Sequence, residues 1–265
     1  MLIFPTYQTL LTKAAAATSS IVTTNLVSHW DLGNSSSYSG SGTTITDLTG
    51  NGNNGSIENS SNFSYNSGVG GHGVSDITAT SNPGWIRRTT DYIDDVGTGD
   101  FTIEFWVNIY RSVDNALFWR NLPNATSPFN ENFALYIHEG KMRASNWFAA
   151  TAATTVGSWT HLDSSAVYPD GSYKGWEHLV FSRIGTGDNN TKFYRNNSLI
   201  HTWTNKAQYD DANSSTDSGI TSFGGSNIYT VVKGKIAIYR FYSGTGLTSS
   251  QVTTNYDASK SRFGL

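Results

Sequence analysis

Apolar and polar residues alternate with a period of two in short runs along this chain, the pattern of strands that present one face to a core. The clearest run is Gly234 to Tyr242, where Ile236, Ile238 and Arg240 alternate with Ala237, Tyr239 and Phe241 and so fall on opposite faces of a half-buried strand. Strands are predicted over Phe101 to Asn108, Asn132 to His138, Lys141 to Trp147, Glu177 to Arg183, Thr191 to Arg195, Ser198 to Trp203 and Lys235 to Tyr242. The second and third of these are separated only by Glu139-Gly140, the spacing of a tight hairpin. The pattern then changes period. Thr248 precedes Gln251 by three residues, a capping box, and Val252 and Tyr256 lie four apart, so a short helix begins there and Gly264 ends it.

One segment matches neither period. Asp47-Leu-Thr-Gly-Asn-Gly-Asn-Asn-Gly55 holds three glycines and three asparagines in nine residues, a density that a turn with positive φ explains. Two readings stay open. Asp47, Asn51 and Asn53 present the hard oxygen ligands that Ca²⁺ takes, within a span short enough to encircle one ion. The same residues also suit an Asn-Gly hairpin connection with no metal.

Composition supports an all-β chain: 26 Gly and 13% aromatic residues against only 14% charged fit short strands joined by polar turns. With no internal repeat or Pro-rich linker, residues 25–265 read as one domain and residues 1–24 as an N-terminal arm. No cysteine is present, so no disulfide framework is available. No apolar run approaches the ~20 residues needed to span a bilayer, and no membrane partner is expected. Residues 1–20 begin with an apolar head, but no basic residue precedes it and Lys13 interrupts the apolar stretch, so the segment reads as mature sequence. Leu2, Ile3, Phe4 and Leu10 would let this arm dock on a neighbouring subunit, or pack on its own domain.

A family resemblance is carried by Leu26-Val-Ser-His-Trp-Asp31, the Gly42 to Gly55 segment, Phe101 to Val107, Trp176-Glu-His-Leu-Val-Phe181, Lys192 to Asn196 and Gly234 to Tyr239. In that order they resemble a laminin-G-like domain of the concanavalin A-like lectin/glucanase superfamily. The phrases Asn25-Leu-Val-Ser-His-Trp-Asp-Leu-Gly-Asn-Ser-Ser-Ser-Tyr38 and Asn255-Tyr-Asp-Ala-Ser-Lys-Ser-Arg-Phe-Gly264 are similar to versions in structural proteins of marine bacteriophages. The resemblance implies a two-sheet antiparallel jelly-roll sandwich with a short C-terminal helix and an extended N-terminal arm.

Function classes then narrow by chemistry. A glycosidase needs two carboxylates flanking the scissile bond, yet Glu58, Glu104, Glu131, Glu139 and Glu177 are isolated and the superfamily's Glu-x-Asp-x-x-Glu strand motif is missing. The pairs Asp94-Asp95 and Asp210-Asp211 read as solvated turns. No Gly-x-Ser-x-Gly elbow occurs and the six His lack metal-ligand spacing, so no enzyme is expected. With 17 basic against 20 acidic residues and a net charge of −3, nucleic acid is not an expected partner, and Arg87-Arg88 reads as a surface detail. Asn-x-Ser/Thr triplets at Asn34, Asn59, Asn62, Asn124, Asn189, Asn196 and Asn213 read as turn chemistry.

The expected function is a non-enzymatic virion structural protein of a bacteriophage, as a capsid decoration, head fibre or tail-associated protein. Its partners would be other virion proteins and further copies of itself, attached through the arm. The alternative is a carbohydrate-binding adhesin, extracellular or on a tail fibre, meeting a cell-surface glycan. For that, Trp85, Trp119, Trp147, Trp159, Trp176 and Trp203 are candidate platforms, with Asn121 to Asn132 and Asp210 to Asp217 as polar loops. Trp106, inside its strand, is expected in the core.

Overall fold

In the computed structural model the described residues are 20–75, 84–88, 100–109, 115–121, 131–138, 141–148, 158–166, 175–185, 190–203, 220–223 and 234–265. Two antiparallel sheets form. The first runs β14 (Ser198–Trp203), β13 (Thr191–Arg195), β12 (Glu177–Arg183), β7 (Phe101–Ile109), β16 (Gly234–Ser243), β5 (His72–Ser75) and β4 (Phe63–Asn66). β16 carries β5 along its first residues and β1 (Leu26–Asp31) along its last. The second sheet runs β11 (Ser158–Ala166), β10 (Lys141–Phe148), β9 (Glu131–His138), β8 (Asn115–Asn121), β15 (Ile220–Phe223), β6 (Trp85–Arg88), β3 (Gly55–Glu58) and β2 (Thr44–Ile45).

Alternation along β7 shows why the sheets stack. Phe101, Ile103, Phe105, Val107 and Ile109 point one way, into a core shared with Phe181, Phe193, Tyr239 and Phe241 of the same sheet and with Ile45, Ile57, Ile86, Leu135, Ile137 and Met142 of the other. Each large apolar side chain removed from water there contributes about 1.5–3 kcal/mol. Thr102, Glu104 and Trp106 point to the opposite face, and they are buried as well. The cover is helix α1 (Ser249–Ser259) and the 3₁₀ turn Lys260–Phe263, which lay Val252, Tyr256 and Phe263 on the outer face of the first sheet. Trp106 is therefore a core residue as expected, stacked on Phe263 at 4.3 Å between ring centroids.

The predicted helix is present with its capping box: Gln251 N donates to the Thr248 hydroxyl, and Thr248 N donates to the Gln251 side chain. Gly264, at φ 77°, is the left-handed stop. Strands β12, β13 and β14 match their predicted ranges, and the hairpin of β9 and β10 pairs His138 with Lys141. One facing assignment is corrected. The register of β16 shifts between Ile236 and Ile238, a bulge that puts Ile236 in the inter-sheet core with Tyr239 and Phe241, while Ala237 and Ile238 both pack under the helix. The strand is also buried on both faces rather than one.

Ahead of β1, Val22 lies against its own domain. Its N–H donates to Asn255 Oδ1 at 2.8 Å and its carbonyl accepts from the Tyr242 hydroxyl at 3.0 Å. Leu2, Ile3, Phe4 and Leu10 lie outside the described residues.

Candidate functional site

Three constellations of polar and aromatic side chains stand out. The first is the turn between β2 and β3, where Gly50 and Gly52 take the positive φ values that their sequence implies. Asp47 organises it. Its Oδ1 accepts from the backbone N–H of His29 and Thr49, and its Oδ2 accepts from Asn53 N and the Thr49 hydroxyl. Asn51 and Asn53 each donate their side-chain amide to the Val27 carbonyl, at 3.1 and 2.6 Å. Trp30 Nε1 donates to the Asn53 carbonyl at 2.7 Å. Arg88, expected on the surface, is buried and donates to Asn53 Oδ1. The three candidate calcium ligands are thus brought together, with the Asp47 oxygens facing four donors and a guanidinium beside Asn53. Among the described residues no three His, Asp or Glu side chains form a metal-holding group.

The second lies beneath α1. Glu104, fully buried, accepts from His178 Nε2 at 2.9 Å, from Asn255 Nδ2 at 2.6 Å and from Arg240 Nη1. Burial alone would push the Glu104 carboxyl up, but Arg240 and the hydrogen bonds from His178 and Asn255 outweigh it and hold its pKa at about 2. Arg240 also reaches Ser259 of the helix and donates Nε–H to His29 Nε2 at 3.3 Å. Burial, and then the Arg240 charge, lower the His29 pKa to about 4, so this ring stays a neutral acceptor. The network fixes helix to sheet. A bidentate pair ties β1 to the turn after the helix, with Arg262 donating to both oxygens of Asp31 at 2.6 and 2.7 Å.

Four further carboxylates are also engaged. Glu177 accepts from Arg195, Glu58 pairs with Arg87 at 3.4 Å, Asp257 pairs with Lys260 at 2.6 Å, and Asp100 accepts from Gly185 N–H. Such pairing suits scaffolding, whereas glycoside hydrolysis needs two carboxyl groups facing one bond.

The third constellation is a cleft of about 280 Å³ at the edge of the sandwich, where β3 and β4 are joined by the 3₁₀ turn Ser60–Asn62. Tyr65 and Phe63 come from β4, Ile57 from β3, and Tyr38, Ser41 and Thr43 from the loop ahead of β2. The Tyr38 and Tyr65 rings meet edge to face, 5.4 Å apart and inclined by 77°. The loop is held in place: the Tyr38 hydroxyl donates to the Gly42 carbonyl at 3.0 Å, the Ser39 hydroxyl to the Ser41 carbonyl at 3.1 Å, and Ile57 N–H to the Thr43 carbonyl at 2.7 Å. Gly42 has φ 78°, and a Cβ there would meet nothing within 4 Å, so the backbone conformation rather than crowding calls for glycine.

The expected tryptophan platforms fare differently. Trp85 and Trp176 are buried, Trp176 against His72 and Phe263, so neither presents a ring face to a ligand. The side chains of Trp119, Trp147, Trp159 and Trp203 lie outside the described residues, as do the loops 122–130 and 210–217. The cleft was missed because its aromatic residues come from two segments about 25 residues apart. The signal available was Phe63 and Tyr65 alternating with Ser64 and Asn66, and a tyrosine leading into a Ser/Gly loop. Of the Asn-x-Ser/Thr triplets, Asn59 and Asn196 have positive φ, and the Asn34 side chain accepts from Ser36 N–H, all of which is turn chemistry.

No family model matches the chain, and no curated protein matches it. Solved structures do. Domain 4 of AbnA, a GH43 extracellular arabinanase from Geobacillus stearothermophilus, in complex with arabinotriose, is 22% identical with a TM-score of 0.56, over 88% of this chain and 98% of that one. The binding domain of botulinum neurotoxin DC matches in complex with rat synaptotagmin II at 12% identity and TM-score 0.58, over 89% of this chain and 52% of that one. In complex with SialylT it matches at 12% identity and TM-score 0.57, over 88% and 51%. The chain spans about half the length of these neurotoxin domains. At such identities the likeness shows the fold, an antiparallel two-sheet sandwich with a short C-terminal helix.

Proposed function

We propose that this chain is a non-catalytic carbohydrate-binding module whose ligand sits in the cleft between β3 and β4. The observation that carries the reading is the lining of that cleft. Sugars offer apolar C–H faces and a belt of hydroxyls, and Tyr65 and Phe63 supply ring surface beside the hydroxyls of Ser41, Thr43 and Ser60. The loop bearing Ser41 and Thr43 is already hydrogen-bonded into shape, which lowers the ordering cost of binding. Support of a weaker kind comes from the neighbours: the arabinanase domain was solved with arabinotriose and a neurotoxin binding domain with SialylT. A glycan array at high protein concentration tests the reading. Reproducible binding that free sugar competes away is the expected result, and a blank array refutes it.

A second reading adds a location. The phrases Asn25 to Tyr38 and Asn255 to Gly264 favour display on a bacteriophage particle, as a capsid decoration, head fibre or tail-associated protein. Residues 1–24 would attach it, through Leu2, Ile3, Phe4 and Leu10, to other virion proteins or to further copies of the chain. Size-exclusion chromatography with light scattering on the full chain and on a chain lacking residues 1–20 tests this. A defined oligomer or particle attachment lost with the arm is expected; identical monomers would leave the adhesin reading alone.

A further inference from the structure

We infer that the cleft takes an uncharged saccharide unit of one or two rings and rejects sialic and uronic acids. This deepens the carbohydrate-binding reading and rests on it. Among the described residues no side chain lining the cleft is ionisable apart from the two phenols, Tyr38 and Tyr65. Burial and the neighbouring Tyr65 push the Tyr38 phenol up, so it stays protonated at neutral pH. The nearest charge in sequence, Glu58, follows Ile57 on β3, where successive side chains point to opposite faces, and it is already paired with Arg87. A carboxylate entering the cleft would lose hydration and meet no cation among the described lining residues, a penalty that sites for acidic ligands avoid by supplying Arg or Lys.

Size limits the ligand as well. At about 280 Å³ the cleft lies just below the usual range of roughly 300–1,000 Å³ for small-molecule sites. A chain end of one or two sugar rings fits; a long glycan would make most of its contacts outside. The polar lining is matched to hydroxyl groups. The Tyr38 hydroxyl spends its proton on the Gly42 carbonyl, leaving its oxygen as an acceptor, while the Ser41, Thr43 and Ser60 hydroxyls can donate or accept, a mixture that suits neutral sugars.

The test is calorimetric titration of the full chain with lactose, cellotriose, sialyllactose and tri-galacturonate, repeated on Tyr65→Ala and Ser60→Trp. Ser60 is exposed, so its replacement fills the mouth of the cleft without entering the core, and the melting temperature of each variant checks folding. Expected is binding of a neutral sugar, weakened about tenfold or more, some 1.4 kcal/mol, in both variants, with no heat from the two acidic ligands. Sialyllactose binding as well as lactose, and lost in Ser60→Trp, would overturn the inference while leaving the carbohydrate reading intact. Neutral-sugar binding untouched by either variant would also overturn it, by placing the site elsewhere. Silence from every sugar here and on the array would overturn the carbohydrate reading itself.

Discussion

Replacing Glu104 by Gln removes one charge from the middle of the structure and almost nothing else. Its carboxylate is fully buried and is the counter-charge to Arg240, itself only 2% exposed. Without that charge Arg240 keeps a buried guanidinium with no anion, and breaking such a pair from one side costs about 3–5 kcal/mol. For a domain whose total stability is about 5–15 kcal/mol, the loss is large. Urea unfolding followed by tryptophan fluorescence measures it. Two controls make the reasoning refutable. Arg240→Met should also destabilise, but the double variant should lose less than the two singles added together, because the second change removes the orphaned partner. The deficit should also depend on pH. The folded-state pKa of Glu104 is depressed, so its contribution is fully present above the ordinary carboxyl value of 4.5 and is lost as pH falls towards about 2. The gap between wild type and Glu104→Gln should therefore shrink below pH 4.5. A gap under about 1 kcal/mol at neutral pH, additive singles, or a gap independent of pH would refute the account.

The same geometry makes three further outcomes testable. His29 has its folded pKa lowered from 6.5 to about 4, so the unfolded chain binds a proton in that window that the folded chain refuses. Stability should fall as pH drops from 6.5 to 4, by up to about 3 kcal/mol, and His29→Gln should flatten that part of the curve. Arg262→Lys breaks the bidentate contact with Asp31 and the Nε–H bond to the Gly70 carbonyl; with the pair partly exposed, about 1 kcal/mol is expected by urea titration. Calcium is tested at the β2–β3 turn by melting with EDTA and with excess CaCl₂. Because the Asp47 oxygens already serve four donors, no change in Tm is expected, and a rise on adding calcium would identify Asp47, Asn51 and Asn53 as ligands.

How much of this was readable from the chain depended on whether the signal was local. Strands β12, β13 and β14 are legible to the residue because their side chains alternate within the span of the strand. The helix is legible because the two partners of its cap, Thr248 and Gln251, lie only three residues apart. The features that escaped were tertiary. The bulge at Ala237 is a backbone insertion that leaves no mark on the side-chain pattern, and it moves Ile236 into the other cluster. Burial of both faces of β7 depends on α1, more than a hundred residues away in the chain. The short strands β3, β4 and β5 are each half Ser, Gly or Asn, and pairing rather than propensity makes them strands. Arg88 looked like half of a surface pair because nothing next to it announces Asn53, its partner 35 residues earlier.

The same distinction separates the frame of the fold from the cleft. The segments Asn25 to Tyr38 and Asn255 to Gly264 meet in space: Asp31 in the first accepts both ends of Arg262 in the second, and Asn255 at the head of the second holds both Val22, just ahead of the first, and the Glu104 network. These contacts close the sandwich, tying the first strand and the last helix across the same sheet. The cleft draws only Tyr38 from these segments and takes the rest from residues 40–43 and 57–65, which sit on the short strands β3 and β4 at the rim of the sandwich and the loops beside them. Edge segments can change side chains with little effect on the core beneath, so a scaffold can persist while its ligand changes. On the carbohydrate-binding proposal, ligand specificity should therefore track substitutions at positions 41, 43, 60 and 65, and replacing the Asp31–Arg262 clasp should alter stability without altering which sugar is bound.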